Sequence, residues 1–105
     1  MSRMQRDKGQ RGEREIVNHW KAHGVKAERV PLSGAAGGEY VGDVDVYWRG
    51  PEEAPHVGES KVRADGFKTI YDWLGENDFL CIKRDRSERL YVIPERVLTQ
   101  LLVKP

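Results

Sequence analysis

Read as apolar and polar positions, the chain shows no periodic apolar face over residues 1–10 and then acquires one. Ile16, Val17 and Trp20 recur at helical spacing, which predicts a helix over 12–23 stopped by Gly24. Glu13 falls on the same stripe, and a carboxylate on an inward helix face is costly unless something satisfies it. Residues 25–30 read as a strand ending at Pro31, and 32–38, a run of small and flexible residues, as a mobile loop. The period then switches to two. Val44, Val46 and Trp48 take one face of a strand, and Asp43 and Asp45 the other. Gly50, Pro51 and Pro55 make 49–56 a turn. On the returning strand Glu59, Lys61 and Arg63 share a face opposite Ser60 and Val62. A hairpin of these two strands gathers Asp, Glu and Lys on one patch.

The second half repeats both periods. Phe67, Ile70, Tyr71 and Leu74 form the inward stripe of a helix over 65–74, with Asp65 as its N-cap, Gly75 as its stop and Trp73 on the stripe's edge. Residues 78–83 are nearly continuously apolar, which predicts a strand buried on both faces with Cys81 as a core thiol. A polar turn at 84–87 leads to a partner strand over 88–93. Pro94 suits the first turn of a last helix, with Val97, Leu98, Leu101 and Leu102 inward. The order α-β-β-β-α-β-β-α is that of an α/β domain with a mixed central sheet flanked by helices.

Length and composition narrow the class. The 105 residues make one domain, and residues 1–10 read as a flexible basic arm. No apolar run is long enough to span a membrane and no signal peptide is expected. One cysteine excludes an internal disulfide framework and fits a reducing cytoplasm, whether bacterial, archaeal or that of a phage host. The net charge of +1 conceals an uneven distribution. Residues 1–29 carry eight Lys/Arg against four Asp/Glu, 30–60 one against six, and 61–105 nine against seven. Such a chain attracts a polyanion at its basic flanks and repels it at its acidic middle unless a cation sits there.

The chemistry legible in the hairpin is metal-assisted phosphodiester hydrolysis. Carboxylates supply the hard oxygen ligands that Mg²⁺ takes, and the metal polarises a phosphoryl oxygen. A lysine on the same face neutralises charge that develops during the reaction. Glu-x-Lys alone is a weak signal in a chain so rich in both residues. Its value comes from the Gly-Asp upstream and the inward Glu13. His19 and His23 sit on the polar flank of the first helix and read as solvated.

Four stretches carry a resemblance. Lys8 to Val17 (KGQRGEREIV) is similar to an opening Lys-Gly…Glu-Arg-Glu helix, and Arg29-Val30-Pro31-Leu32-Ser33 to an Arg-x-Pro-x-Ser strand end. Gly42-Asp43 stands where Pro-Asp or a variant is found, and Glu59-Ser60-Lys61 is a (D/E)XK element. The chain resembles the PD-(D/E)XK nucleases, and within them the archaeal and phage Holliday junction resolvases of the Hjc type. The resemblance implies a restriction-endonuclease-like fold. It implies Glu13, Asp43 and Glu59 as metal ligands or their immediate support, with Asp45 the alternative to Asp43. It implies Lys61 as the catalytic lysine, with Ser33 and Arg29 near the scissile phosphate. The expected activity is Mg²⁺-dependent nicking of branched DNA, above all four-way junctions, with Mn²⁺ able to substitute. Arg3, Arg6, Lys8, Arg11 and Arg63 are expected to add DNA contacts. The surplus of apolar residues around Trp73 predicts a homodimer through that helix. Two alternatives are a nuclease of the same superfamily acting on flaps or duplex, and a DNA-binding protein that keeps the fold without the chemistry. The intact Asp43, Glu59 and Lys61 argue against the latter.

Overall fold

The structure, a computed structural model, describes residues 3–30 and 43–104, and of residues 3–8 the backbone alone. The elements are α1 (Arg3–Ala22), β1 (Ala27–Arg29), β2 (Val44–Val46), β3 (His56–Gly58), α2 (Lys68–Leu74), β4 (Leu80–Ile82), β5 (Leu90–Val92) and α3 (Glu95–Leu102). Their order is the one the sequence predicts. The chain divides into two compact units, Met1–Val62 and Arg63–Pro105. Each unit has its own antiparallel sheet, β1-β2-β3 in the first and β4-β5 in the second, where one mixed sheet was expected. The connections from β2 to β3 and from β4 to β5, nine and seven residues, are too short for the crossover that a parallel pair needs, so these neighbours pair antiparallel.

In the first unit α1 packs on β1 and β2. Val17 and Trp20 of the helix meet Ala27, Val44 and Val46 of the sheet, all buried. Burial of a Val or Trp side chain of this kind contributes on the order of 1.5–3 kcal/mol, and these five residues are the core of the unit. The Val44-Asp45-Val46 alternation is buried, half-buried, buried, as period two requires. Trp48 closes the end of this core, its ring edge-on to Trp20 at 5.4 Å between centroids and against His56 at 5.1 Å.

The helix starts at Arg3, not Gly12, so the segment expected as a flexible arm is helical from its third residue. Met4, Gln5, Arg6, Lys8 and Gln10 are good helix formers. Once residues 13–20 have nucleated the helix, each preceding residue adds a hydrogen bond without a new nucleus. The strands are shorter than their periodic patterns. β3 ends at Gly58, so Glu59 to Arg63 follow the strand rather than form it. The turn after β2 is held by its own hydrogen bonds: Gly50 N–H donates to Tyr47 O and Glu53 N–H to Gly50 O, both at 3.1 Å, and Arg49 donates to Ala54 O at 3.2 Å.

The second unit departs most from expectation. α2 begins at Lys68 with Phe67 at its N-cap, leaving Asp65 outside, and it ends as expected at Gly75. Pro94 is the N-cap of α3 rather than its first helical residue, and its carbonyl accepts from Val97 and Leu98. Leu74 is buried, but Tyr71 is 71 % and Trp73 61 % exposed. Leu101 is 70 % exposed, and Leu102 and Cys81 are exposed as well. The stripes are where the periodicity put them. A two-stranded sheet simply has too little area to cover two helices and both of its own faces. In the hairpin turn Arg86 lies at φ 61°, in the left-handed region that favours glycine, at a cost of roughly 1 kcal/mol. Ser87 N–H closes that turn on Arg84 O at 3.1 Å.

Candidate active site

The antiparallel ladder of β2 and β3 pairs Val46 with His56, Asp45 with Val57 and Val44 with Gly58. Just beyond the last pair, at the open end of this hairpin, stand Asp43 on one side and Glu59-Ser60-Lys61 on the other. Asp43 is anchored through three atoms. Its N–H donates to Gly58 O at 2.7 Å, and its carbonyl accepts from Val30 N–H at 2.9 Å. Its carboxylate Oδ2 accepts from Ser60 N–H at 2.9 Å. The Asp43–Gly58 bond is one residue out of step with the Val44–Gly58 pair, as at a β-bulge, a device that re-aims a side chain at the end of a ladder. Asp45, by contrast, sits within β2 between Glu28 and Val57.

Beyond β3 the side chains alternate. A Cβ built on Gly12 of α1 would lie 2.8 Å from Val62 Cγ2 and 3.0 Å from Ser60 Oγ. Ser60 and Val62 therefore point at the helix, and only a residue without a Cβ lets the two segments come this close. Glu59 and Lys61 are exposed, with Lys61 Nζ 3.8 Å from Glu59 Oε2. At that separation and exposure the pair contributes little to stability, and the ammonium can swing to another anion.

Glu13, one residue after this close approach, is satisfied as its inward position requires. Arg29 Nε donates to its Oε1 at 3.1 Å, and both side chains are only partly exposed. Arg29 pairs with Val44 in the sheet and so shares the helix-facing side of β1 with Ala27. On the same sheet the Tyr47 hydroxyl donates to Glu28 Oε1 at 3.1 Å. That bond first, then desolvation and the charges of Glu28 and Asp45, hold the phenol's pKa above its ordinary value.

A family model described as archaeal Holliday junction resolvase (Hjc) matches residues 4–71. The chain belongs to the archaeal Holliday junction resolvase (Hjc) family. Neither a curated protein nor a solved structure matches it. The Hjc match runs from the start of α1 to Tyr71 of α2 and so contains every residue described above as part of the site. Membership implies a resolvase-like endonuclease.

Of the residues expected for an Hjc nuclease, Asp43 is bonded to the main chain of Ser60, the residue between Glu59 and Lys61, and Glu13 follows Gly12, the point where α1 approaches Ser60. Among the described residues no three His, Cys, Asp or Glu side chains are grouped closely enough to hold an ion by themselves. Mg²⁺ does not need three, because it is bound by one or two carboxylates and completes its octahedron with water and substrate phosphate. Asp43 and Glu59 fit that donor set. Ser33 and the loop 32–38 lie outside the described residues, and the side chains of Arg3, Arg6 and Lys8 are likewise outside them. Arg11 is exposed on α1, and Arg63 is exposed at the start of the second unit. Sequence reasoning missed two positioning groups, the Ser60 amide and Gly12. Gly12 lay inside the KGQRGERE motif, but a helical glycine announces a close approach only once its neighbour is known.

Proposed function

We propose that this chain is a Mg²⁺-dependent endonuclease, with Mn²⁺ able to substitute, that cuts branched DNA and above all four-way junctions. It acts in the cytoplasm as a homodimer, with both units forming one nuclease domain. The observation that carries the reading is the Ser60 N–H bond to Asp43 Oδ2, because it ties the two separated pieces of the motif into one site. Asp43 is the better ligand than Asp45, since its main chain is hydrogen-bonded on both sides and its second carboxylate oxygen is left for the ion. Glu59 is the other ligand. Mg²⁺ held there would polarise a phosphoryl oxygen of the scissile phosphate.

The chain's own residues do the rest. Lys61 leaves its loose pairing with Glu59 and places its ammonium against the phosphate, where it offsets charge developing in the transition state. Glu13 holds the Arg29 guanidinium, which brings a second cation toward the same phosphate. Ser33 keeps the place near the phosphate that the resemblance implies. Arg3, Arg6, Lys8, Arg11 and Arg63 contact phosphates without reading sequence. A two-fold dimer sets two such sites on two strands, as symmetric junction cutting requires. The exposed Tyr71 and Trp73 on α2 support a dimer contact there.

The test is incubation of labelled four-way junction and matched linear duplex with and without Mg²⁺. Junction cutting that needs the metal and exceeds duplex cutting is the expected result. Equal cutting of both substrates would refute branch selectivity, and cutting in EDTA would refute the metal.

A further inference from the structure

The second unit carries a basic and aromatic surface that the site does not use. It lies on the hairpin of β4 and β5. Cys81 pairs with Tyr91 in the register, so the two share a face, and Phe79 joins them with its ring 5.8 Å from that of Tyr91. All three are exposed, Phe79 by 56 % and Tyr91 by 60 %. One residue beyond the last pair, Ile82 with Leu90, come Lys83 and Arg89, two cations opposed across the hairpin. Like charges placed so destabilise a sheet. Neither has a carboxylate partner among the described residues, and Arg86 at the turn also has none. Arg86 moreover occupies a left-handed position that glycine would fill without strain.

The exposed rings and the opposed cations each oppose folding or solubility by themselves, and both are relieved by one kind of occupant. An apolar partner would cover the rings but bury the cations. A second copy of this chain seated on the same face would add its own cations to these. A nucleic-acid strand offers phosphates to Lys83, Arg86 and Arg89 and an unstacked base to Phe79 and Tyr91. Stacking on an exposed aromatic beside cations is how single strands are held without sequence preference. We infer that the exposed face of the β4–β5 hairpin is a second DNA-binding surface, one that grips an unpaired strand at the branch by phosphate contact and base stacking. The inference rests on the nuclease reading above and adds to it a contact outside the residues that the family model matches.

Cys81, the chain's one cysteine, is a reporter already in place on this face. Its maleimide modification in the full chain is timed alone, with saturating junction carrying unpaired nucleotides at the branch, and at tenfold higher protein concentration without DNA. Slowing by DNA of about fivefold or more is expected, with no slowing by concentration. Unchanged modification in saturating DNA, or protection by concentration alone, overturns the inference; the latter makes the face a subunit contact. Binding by anisotropy supplies a second arm. Lys83→Gln/Arg89→Gln is expected to weaken binding and reduce the salt slope by roughly 0.7–0.9 per lost contact. Arg86→Gly is expected to weaken binding while raising the unfolding midpoint, a combination that a purely structural turn would not give. If wild type fails to bind DNA, the nuclease reading falls. If wild type binds and these variants match it in affinity and slope, only the hairpin surface falls.

Discussion

Gly12→Ala tests the close approach on which the site depends, and Gly9→Ala is its control. Both glycines lie within α1, and alanine in a helix interior is worth about 1 kcal/mol more than glycine. At Gly9 a new Cβ meets nothing within 4 Å among the described residues. That substitution should therefore stabilise by about 0.5–1 kcal/mol. At Gly12 the same Cβ would lie 2.8 Å from Val62 Cγ2 and 3.0 Å from Ser60 Oγ. Overpacking of this kind costs about 1–3 kcal/mol, because a stiff valine must leave its rotamer or the backbone must shift. The propensity gain cancels between the two variants, so the gap between them isolates the steric cost. With a urea slope of about 1 kcal/mol/M for so small a unit, Gly12→Ala should unfold at roughly 1–3 M less urea than Gly9→Ala. Tryptophan fluorescence reads this directly, since Trp20 is in the core that α1 builds. Adding Val62→Ala should restore much of the loss. The displaced segment also carries Lys61, so Gly12→Ala should slow cleavage by up to about 100-fold while Gly9→Ala leaves it near wild type. Equal urea midpoints for the two single variants would refute the packing of α1 against residues 60–62.

The other predictions concern the site and the assembly. Lys61→Ala should lower cleavage by about 100-fold or more and leave stability within about 0.5 kcal/mol, since the side chain is exposed; near-normal cutting would remove Lys61 from the mechanism. Asp43→Ala should abolish cleavage and also destabilise by about 1–3 kcal/mol, because the Ser60 amide loses its acceptor at a half-buried position; an unchanged melting curve would mean that the bond does not form. Trp73→Glu should convert a dimer to a monomer in sedimentation equilibrium, and a wild type that is already monomeric would refute the α2 interface.

The geometry around Asp43 was more legible than the exposure of the second unit's apolar residues. Period two gave the faces of Val44, Asp45 and Val46 correctly, and it placed Ser60 and Val62 opposite Glu59 and Lys61 even though those residues lie beyond the strand. Glu13 was marked as an inward carboxylate needing a partner, and Arg29 is that partner. What periodicity does not carry is the identity of the element that covers a face. Tyr71 and Leu101 lie on the stripes predicted for them yet remain exposed. Cys81, in an apolar run, faces outward with Tyr91. Helix ends were misread for a related reason: Arg3 to Gly12 has no apolar face, and a helix can extend through such a stretch on backbone hydrogen bonds alone.

The β2–β3 hairpin separates chemistry from connection. Asp43 and Glu59 sit at its open end, and its turn, with an internal set of hydrogen bonds, closes the opposite end beyond Val46 and His56. Three ladder pairs, about 10 Å of strand, lie between them. Beyond the turn's own hydrogen bonds, lengthening a loop costs only about 0.6 kcal/mol per doubling, and here the added chain would emerge away from the site. Positions 51–54 are therefore a natural grafting point. A fluorophore, an affinity tag or a second DNA-reading module inserted there would leave Asp43 and Lys61 where they are, and the scaffold could be retargeted without touching the residues proposed to cut.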